Sequence, residues 1–134
     1  MILSRNRVRV HLLRIQVMLN YLCASLTRGF KMITKKKAEE FIYCMLDEFY
    51  ISLPIVVRTK KGMGCQALYK YTVDEYGMPY HEIILSKDHG ITEETCLHEL
   101  VHAWQCENGK KVGHGKSFDK WRKICNDWGY GEIR

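Results

Sequence analysis

Two histidines four residues apart enclose a glutamate in the run His98-Glu99-Leu100-Val101-His102. No other feature restricts the fold of this chain as tightly. Four residues at 3.6 per turn return to nearly the same side, so the two imidazoles act together only on a helix. Leu97, Leu100, Val101 and Trp104 fall at i, i+3, i+4 and i+7, a stripe that must be buried. His98, His102 and Gln105 fall on an adjoining face. The fold therefore has to pack one face of this helix and line a cleft with the other.

The ends of the helix are marked as well. Thr92 is a capping residue, with Glu93 and Glu94 in the first turn, where the helix dipole favours anions. Asn108-Gly109 reads as the stop. Two neutral imidazoles at this spacing suit one metal ion, and the carboxylate between them can take a proton from water at an open coordination position. A catalytic zinc site keeps three protein ligands and one open position, so a third ligand is required.

The longer pattern H-E-x-x-H-x-x-G-x-x-H fails, because Gln105 and Asn108 occupy its Gly and last His positions. The next histidine is His114, in Gly113-His114-Gly115-Lys116-Ser117-Phe118. Its glycine neighbours allow close backbone approach, and a helix opens just after it. Phe118, Trp121, Cys125 and Trp128 keep helical spacing, with Gly129 as the stop. The dipole at that helix mouth disfavours protonation, as a neutral ligand requires. Carboxylate alternatives are Asp119, Asp127 and Glu132, and Cys65 is a thiolate alternative. Glu107 follows too closely to return to the site.

His98 to Trp104, with eleven residues between His102 and His114 and then Gly113 to Phe118, resembles the SprT-like (Spartan-type) zinc metalloprotease domain. The looser resemblance runs from Met32 to Tyr130. It implies one Zn2+ held by His98, His102 and His114, with Glu99 as general base. It also implies hydrolysis of peptide bonds in protein or peptide substrates, in well-known members proteins bound to DNA. The two C-x-x-C pairs of the zinc ribbon that often follows do not occur in these 134 residues. The oxyanion-stabilising candidates are Tyr71, Tyr130, Lys116 and Arg122. The rival reading is a non-catalytic, zinc-stabilised DNA- or protein-binding module, with Cys96 or Cys106 as a fourth ligand.

The rest of the chain predicts an α+β domain over residues 32–134, and the family resemblance implies a zincin-like one. Thr34 to about Tyr50 reads as a helix, with Ala38, Phe41, Ile42, Met45 and Phe49 on its apolar stripe. Three strands follow, Ile55–Thr59, Cys65–Val73 and Tyr80–Ser86. Their short connections predict an antiparallel sheet. Resemblance to zinc proteases makes Tyr80–Ser86 the edge strand over the cleft. The active-site helix and a C-terminal helix complete the order. His11, His81 and His89 read as ordinary polar residues, with a cleft position for His81 as the lesser reading.

Charge divides the chain. Residues 1–31 carry six Lys/Arg and no acid, while residues 32–134 carry fifteen of each sign. The first segment reads as a basic extension: a nucleic-acid- or membrane-touching arm, a targeting presequence, or an upstream stretch before a start at Met32. No apolar run is long enough for a membrane span. Six irregularly spaced cysteines suggest reduced thiols in a cytoplasmic protein, or a nuclear or nucleoid one if DNA is the partner.

Overall fold

The computed structural model describes residues 31–131, 133 and 134, and the fold is α+β. Residues 1–30 of the basic segment, with His11, and the alternative ligand Glu132 lie outside the described residues. In chain order the elements are β1 (Met32–Ile33), α1 (Lys35–Met45), β2 (Ile55–Lys60), β3 (Ala67–Val73), β4 (Pro79–Ser86), β5 (Ile91–Thr92), α2 (Glu93–Glu107) and α3 (Lys116–Asp127).

Helix α1 is capped by Thr34, whose hydroxyl accepts from the Lys37 N–H at 3.2 Å. Lys35 pairs with Glu39 one turn on, at 3.1 Å, which offsets part of the cost of lysines at the positive helix end. Ala38, Phe41, Ile42 and Met45 are all buried. The regular helix ends at Met45, short of the expected Tyr50. A further turn follows, in which the Phe49 N–H still donates to the Met45 carbonyl and Phe49 enters the core. Tyr50 then takes a left-handed backbone (φ 54), and the Ile51 N–H closes back on the Leu46 carbonyl.

The three main strands form a mixed sheet in the order β2-β4-β3. This corrects two expectations. β2 and β4 run parallel, paired from Ile55↔His81 to Lys60↔Ser86, while β3 and β4 form an antiparallel hairpin. Strand β4 (Tyr80–Ser86 as expected) is therefore central, and β3 is an edge strand. Short connections had suggested that consecutive strands pair. Instead residues 61–66 carry the chain past a strand position, and β4 returns to fill it. The Ile83-Ile84-Leu85 run is the mark of a strand covered on both faces, and all three residues are buried.

One face of the sheet carries Ile55, Val57, Ile83 and Leu85 into the core, together with Ala67 and Tyr69 at its edge. Helix α2 packs against α1, α3 and β3. The stripe Leu97, Leu100, Val101 and Trp104 is buried as expected, and Trp104 meets Trp121 of α3 edge-on at 5.5 Å. Trp121 also stacks on Phe49 at 4.3 Å, closing the core between α1 and α3. A short antiparallel pairing of β1 with β5 brings the starts of α1 and α2 together. Gly90 at that corner has φ 77, and a Cβ there would run into the Met32 side chain. No helix among the described residues is long and apolar enough to cross a membrane.

Candidate metal centre

Helix α2 begins where its caps predict. The Thr92 hydroxyl accepts from the Thr95 N–H at 3.2 Å, and Glu93 and Glu94 occupy the first turn. It ends at Glu107, with Asn108 as cap and Gly109 in the left-handed region (φ 65). His98 and His102 therefore project from adjacent turns, with ring centroids 4.8 Å apart. His114 comes from the loop before α3 and stands 4.9 Å and 5.2 Å from those rings.

One ligand atom from each of the three histidines lies within 4.8 Å of the other two. The Nε2 atoms of His98 and His114 are only 3.0 Å apart. Nitrogen ligands of a tetrahedral zinc ion stand about 3.3 Å apart. The spacing therefore fits a single metal ion of this type, and the donor set suits it as well. Burial, reinforced by the neighbouring His102, holds the His98 imidazole down to about 4. Burial also lowers His102, against an opposing hydrogen bond with Gln105. Neutral rings, whose lone pairs are free for a cation, are thus the stable form.

Phe118 lies beneath the cluster. Its fully buried ring is 4.8 Å from His98, 5.4 Å from His102 and 4.9 Å from His114. In the sequence it reads as one step of the α3 stripe and as the last residue of the Gly113–Phe118 motif. Its second task, as the apolar floor under three imidazoles, shows only in space. Arg122 covers the Phe118 ring at 4.7 Å, donates to the Ile133 carbonyl at 3.0 Å and pairs with Asp119.

Glu99 is 5% exposed, and burial pushes its carboxyl up to about 7. It opens with His98 on a cleft of about 230 Å³, also lined by Cys65, Gln66, Ala67, Glu94, Thr95 and Arg134. Arg134 reaches this place because its N–H donates to the Glu94 carboxylate at 3.0 Å. Nothing in the local sequence marks Arg134, whose position depends on the course of the chain after α3.

The alternatives are placed elsewhere. Cys65 lines the cleft outside the ligand group, and its thiol donates to the Ala67 carbonyl. Burial pushes the fully buried Cys96 thiol up, away from thiolate. Cys106, Asp119 and Asp127 are likewise outside the group. Among the oxyanion candidates, Tyr130 is buried against Phe41, Arg122 is engaged as above, and neither Lys116 nor Tyr71 lines the cleft.

His81 is fully buried and away from the cleft, which corrects its reading as an ordinary polar residue. Its Nε2 meets the Glu107 carboxylate at 2.6 Å, and its Nδ1 meets the Tyr69 hydroxyl at 2.7 Å. Glu107 also accepts from the Ser52 N–H, the Ser52 hydroxyl and the Leu53 N–H. Burial would raise Glu107, but these hydrogen bonds together hold it below the usual carboxylate range. His89 is exposed and bonded to Ser86.

Neither the curated proteins nor the solved structures contain a match to this chain. A family model does match residues 55–133, the stretch that holds the sheet, α2, the His114 loop and α3. That match covers more than half of the sequence, and the chain belongs to the SprT-like family.

Proposed function

We propose that this protein is a zinc-dependent peptidase of zincin-like architecture, with one Zn2+ held by His98, His102 and His114 and with Glu99 as general base. The observation that carries the reading is the convergence of three imidazoles beside a buried carboxylate on an open cleft. Zinc bound there supplies Lewis-acid polarisation of the attacking water and of the scissile carbonyl. Glu99 takes the proton of that water and returns it to the leaving amine. Its carboxyl, raised to about 7 by burial, is poised near neutral pH, where general bases are most effective.

Strand β3 supports a peptide substrate. The Ser86 N–H donates to the Gln66 carbonyl, and the Asp74 N–H donates to the Met78 carbonyl. By alternation along an antiparallel pair, Leu68, Lys70 and Thr72 spend their main-chain groups on β4. Those of Ala67, Tyr69 and Tyr71 point to the free edge, and Ala67 is in the cleft. An extended substrate pairing along this edge would run past His98 and Glu99 with little demand on its side chains. Proteins bound to DNA are the class that family resemblance adds. Exposed Lys110, Lys111, Lys116, Lys120 and Lys123, on the loop and helix around His114, support an anionic partner.

The test is Glu99→Gln assayed on an unfolded protein substrate, with and without single-stranded DNA. Near-complete loss of cleavage with about one zinc still bound per chain is expected. Cleavage at the parental rate by that variant would overturn the assignment of Glu99.

A further inference from the structure

Gln105 is fully buried one turn beyond His102, and all of its amide atoms are engaged. The Gly113 N–H donates to Oε1 at 3.2 Å, and Nε2 donates to the Gly113 carbonyl at 2.9 Å and to Ser117 Oγ at 2.8 Å. The remaining contact is between Oε1 and His102 Nδ1, at 2.9 Å.

The orientation of this amide is not a free choice. A backbone N–H can only donate and a backbone carbonyl can only accept. Gly113 presents both to Gln105, so the side-chain oxygen must face the Gly113 N–H and the side-chain nitrogen must face its carbonyl. The oxygen is then the atom that meets His102 Nδ1, and an amide oxygen can only accept. His102 Nδ1 must therefore carry a proton. In a neutral ring this leaves the lone pair on Nε2, aimed away from Gln105.

We infer that Gln105 is the positioning residue of the metal centre: clamped by the backbone of Gly113, it fixes His102 as the Nδ1–H tautomer and ties the His114 loop to α2. One side chain thus sets the donor atom of a helix ligand and the place of the loop ligand. Outer hydrogen bonds of this kind orient ligands and raise their basicity. The inference rests on reading the triad as a zinc site, but the tautomer belongs to the chain itself.

The experiment compares the full chain with Gln105→Leu and Gln105→Glu, using zinc competition against a chelator and nitrogen-15 NMR of the histidine rings. In the zinc-loaded parent, His102 should bind through Nε2 and keep a proton on Nδ1. Gln105→Leu should weaken zinc about 10–100-fold. Gln105→Glu keeps an acceptor for His102 Nδ1–H and for the Gly113 N–H but loses the donor to the Gly113 carbonyl, and should recover part of that loss. A purely structural role would weaken both variants alike. Ligation of zinc through His102 Nδ1, or parental zinc affinity in Gln105→Leu, would overturn the inference. Should Gln105→Leu fail to fold, the tautomer in the parent still decides. If the parent binds no zinc, the metal reading fails, and the ring spectrum of the unloaded chain tests the tautomer on its own.

Discussion

Helix α2 carries two clusters of polar, titratable groups. Near its middle, His98, Glu99 and His102 meet His114. At its end, Glu107 meets His81, which in turn meets Tyr69. Both combine imidazole with carboxylate, yet they differ in exposure, His81 being fully buried and His114 exposed, and in how their hydrogen bonds are used. Glu107 accepts from Ser52, Leu53 and His81, and both ring nitrogens of His81 are engaged. In the first cluster, three imidazole nitrogens converge on one another. Imidazole nitrogens that face one another bring lone pairs to a point that one cation can share, so convergence of this kind points to a ligand, while closure points to structure. The Glu107 cluster ties α2 to the sheet and to the Ser52–Leu53 turn, and so holds the first cluster against β3.

The contrast can be broken most sharply at the ligands. His102→Ala should weaken zinc by more than the about 10–100-fold typical of an outer-shell change, as measured by chelator competition. His81→Leu should leave zinc affinity at the parental level. Equal losses in the two would erase the distinction between the clusters.

Glu99→Gln comes next. A general base contributes about 10²–10⁴-fold to rate, and a loss of that size in kcat is expected with zinc occupancy retained. Stability orders the clusters the other way. His81→Leu leaves Tyr69 and Glu107 short of a buried partner and should cost about 1–3 kcal/mol by urea unfolding. Glu99→Gln, which replaces a buried carboxyl with a neutral group, should cost less.

The smallest effect concerns pH. Burial pushes the Glu93 carboxyl up to about 7 from a usual 4.5. A folded-state value above the unfolded one contributes stability below pH 4.5, and that contribution is lost as pH rises through 7. Glu93→Gln should therefore raise Tm more at pH 8 than at pH 5, relative to the parent. An equal shift at both values would place Glu93 with the solvated carboxylates. His98, held down to about 4, works in the opposite sense in the zinc-free chain, which loses stability as pH falls from 6.5 towards 4.

What could be read from the sequence follows how local each signal is. The caps, stripe and histidine face of α2 depend on residues within one or two turns, and they stand where the spacing puts them. The His114 loop was legible through its flanking glycines and the helix that follows. Strand order was not, because the insertion of β4 between β2 and β3 depends on which long-range pairing buries Ile83 to Leu85, and alternation within each strand is silent on that. The His81–Glu107 bond joins residues 26 apart, from the sheet to the end of α2. Gln105 was legible as a residue on the histidine face, but its grip on Gly113 and Ser117 exists only once the loop folds back.

The most direct test of the metal centre is X-ray absorption on the zinc-loaded full chain. The account predicts one zinc with three imidazole nitrogens and one oxygen neighbour, the coordination of a site with room for substrate. A sulfur neighbour, or four protein ligands with no oxygen from water, would contradict it and make the zinc structural.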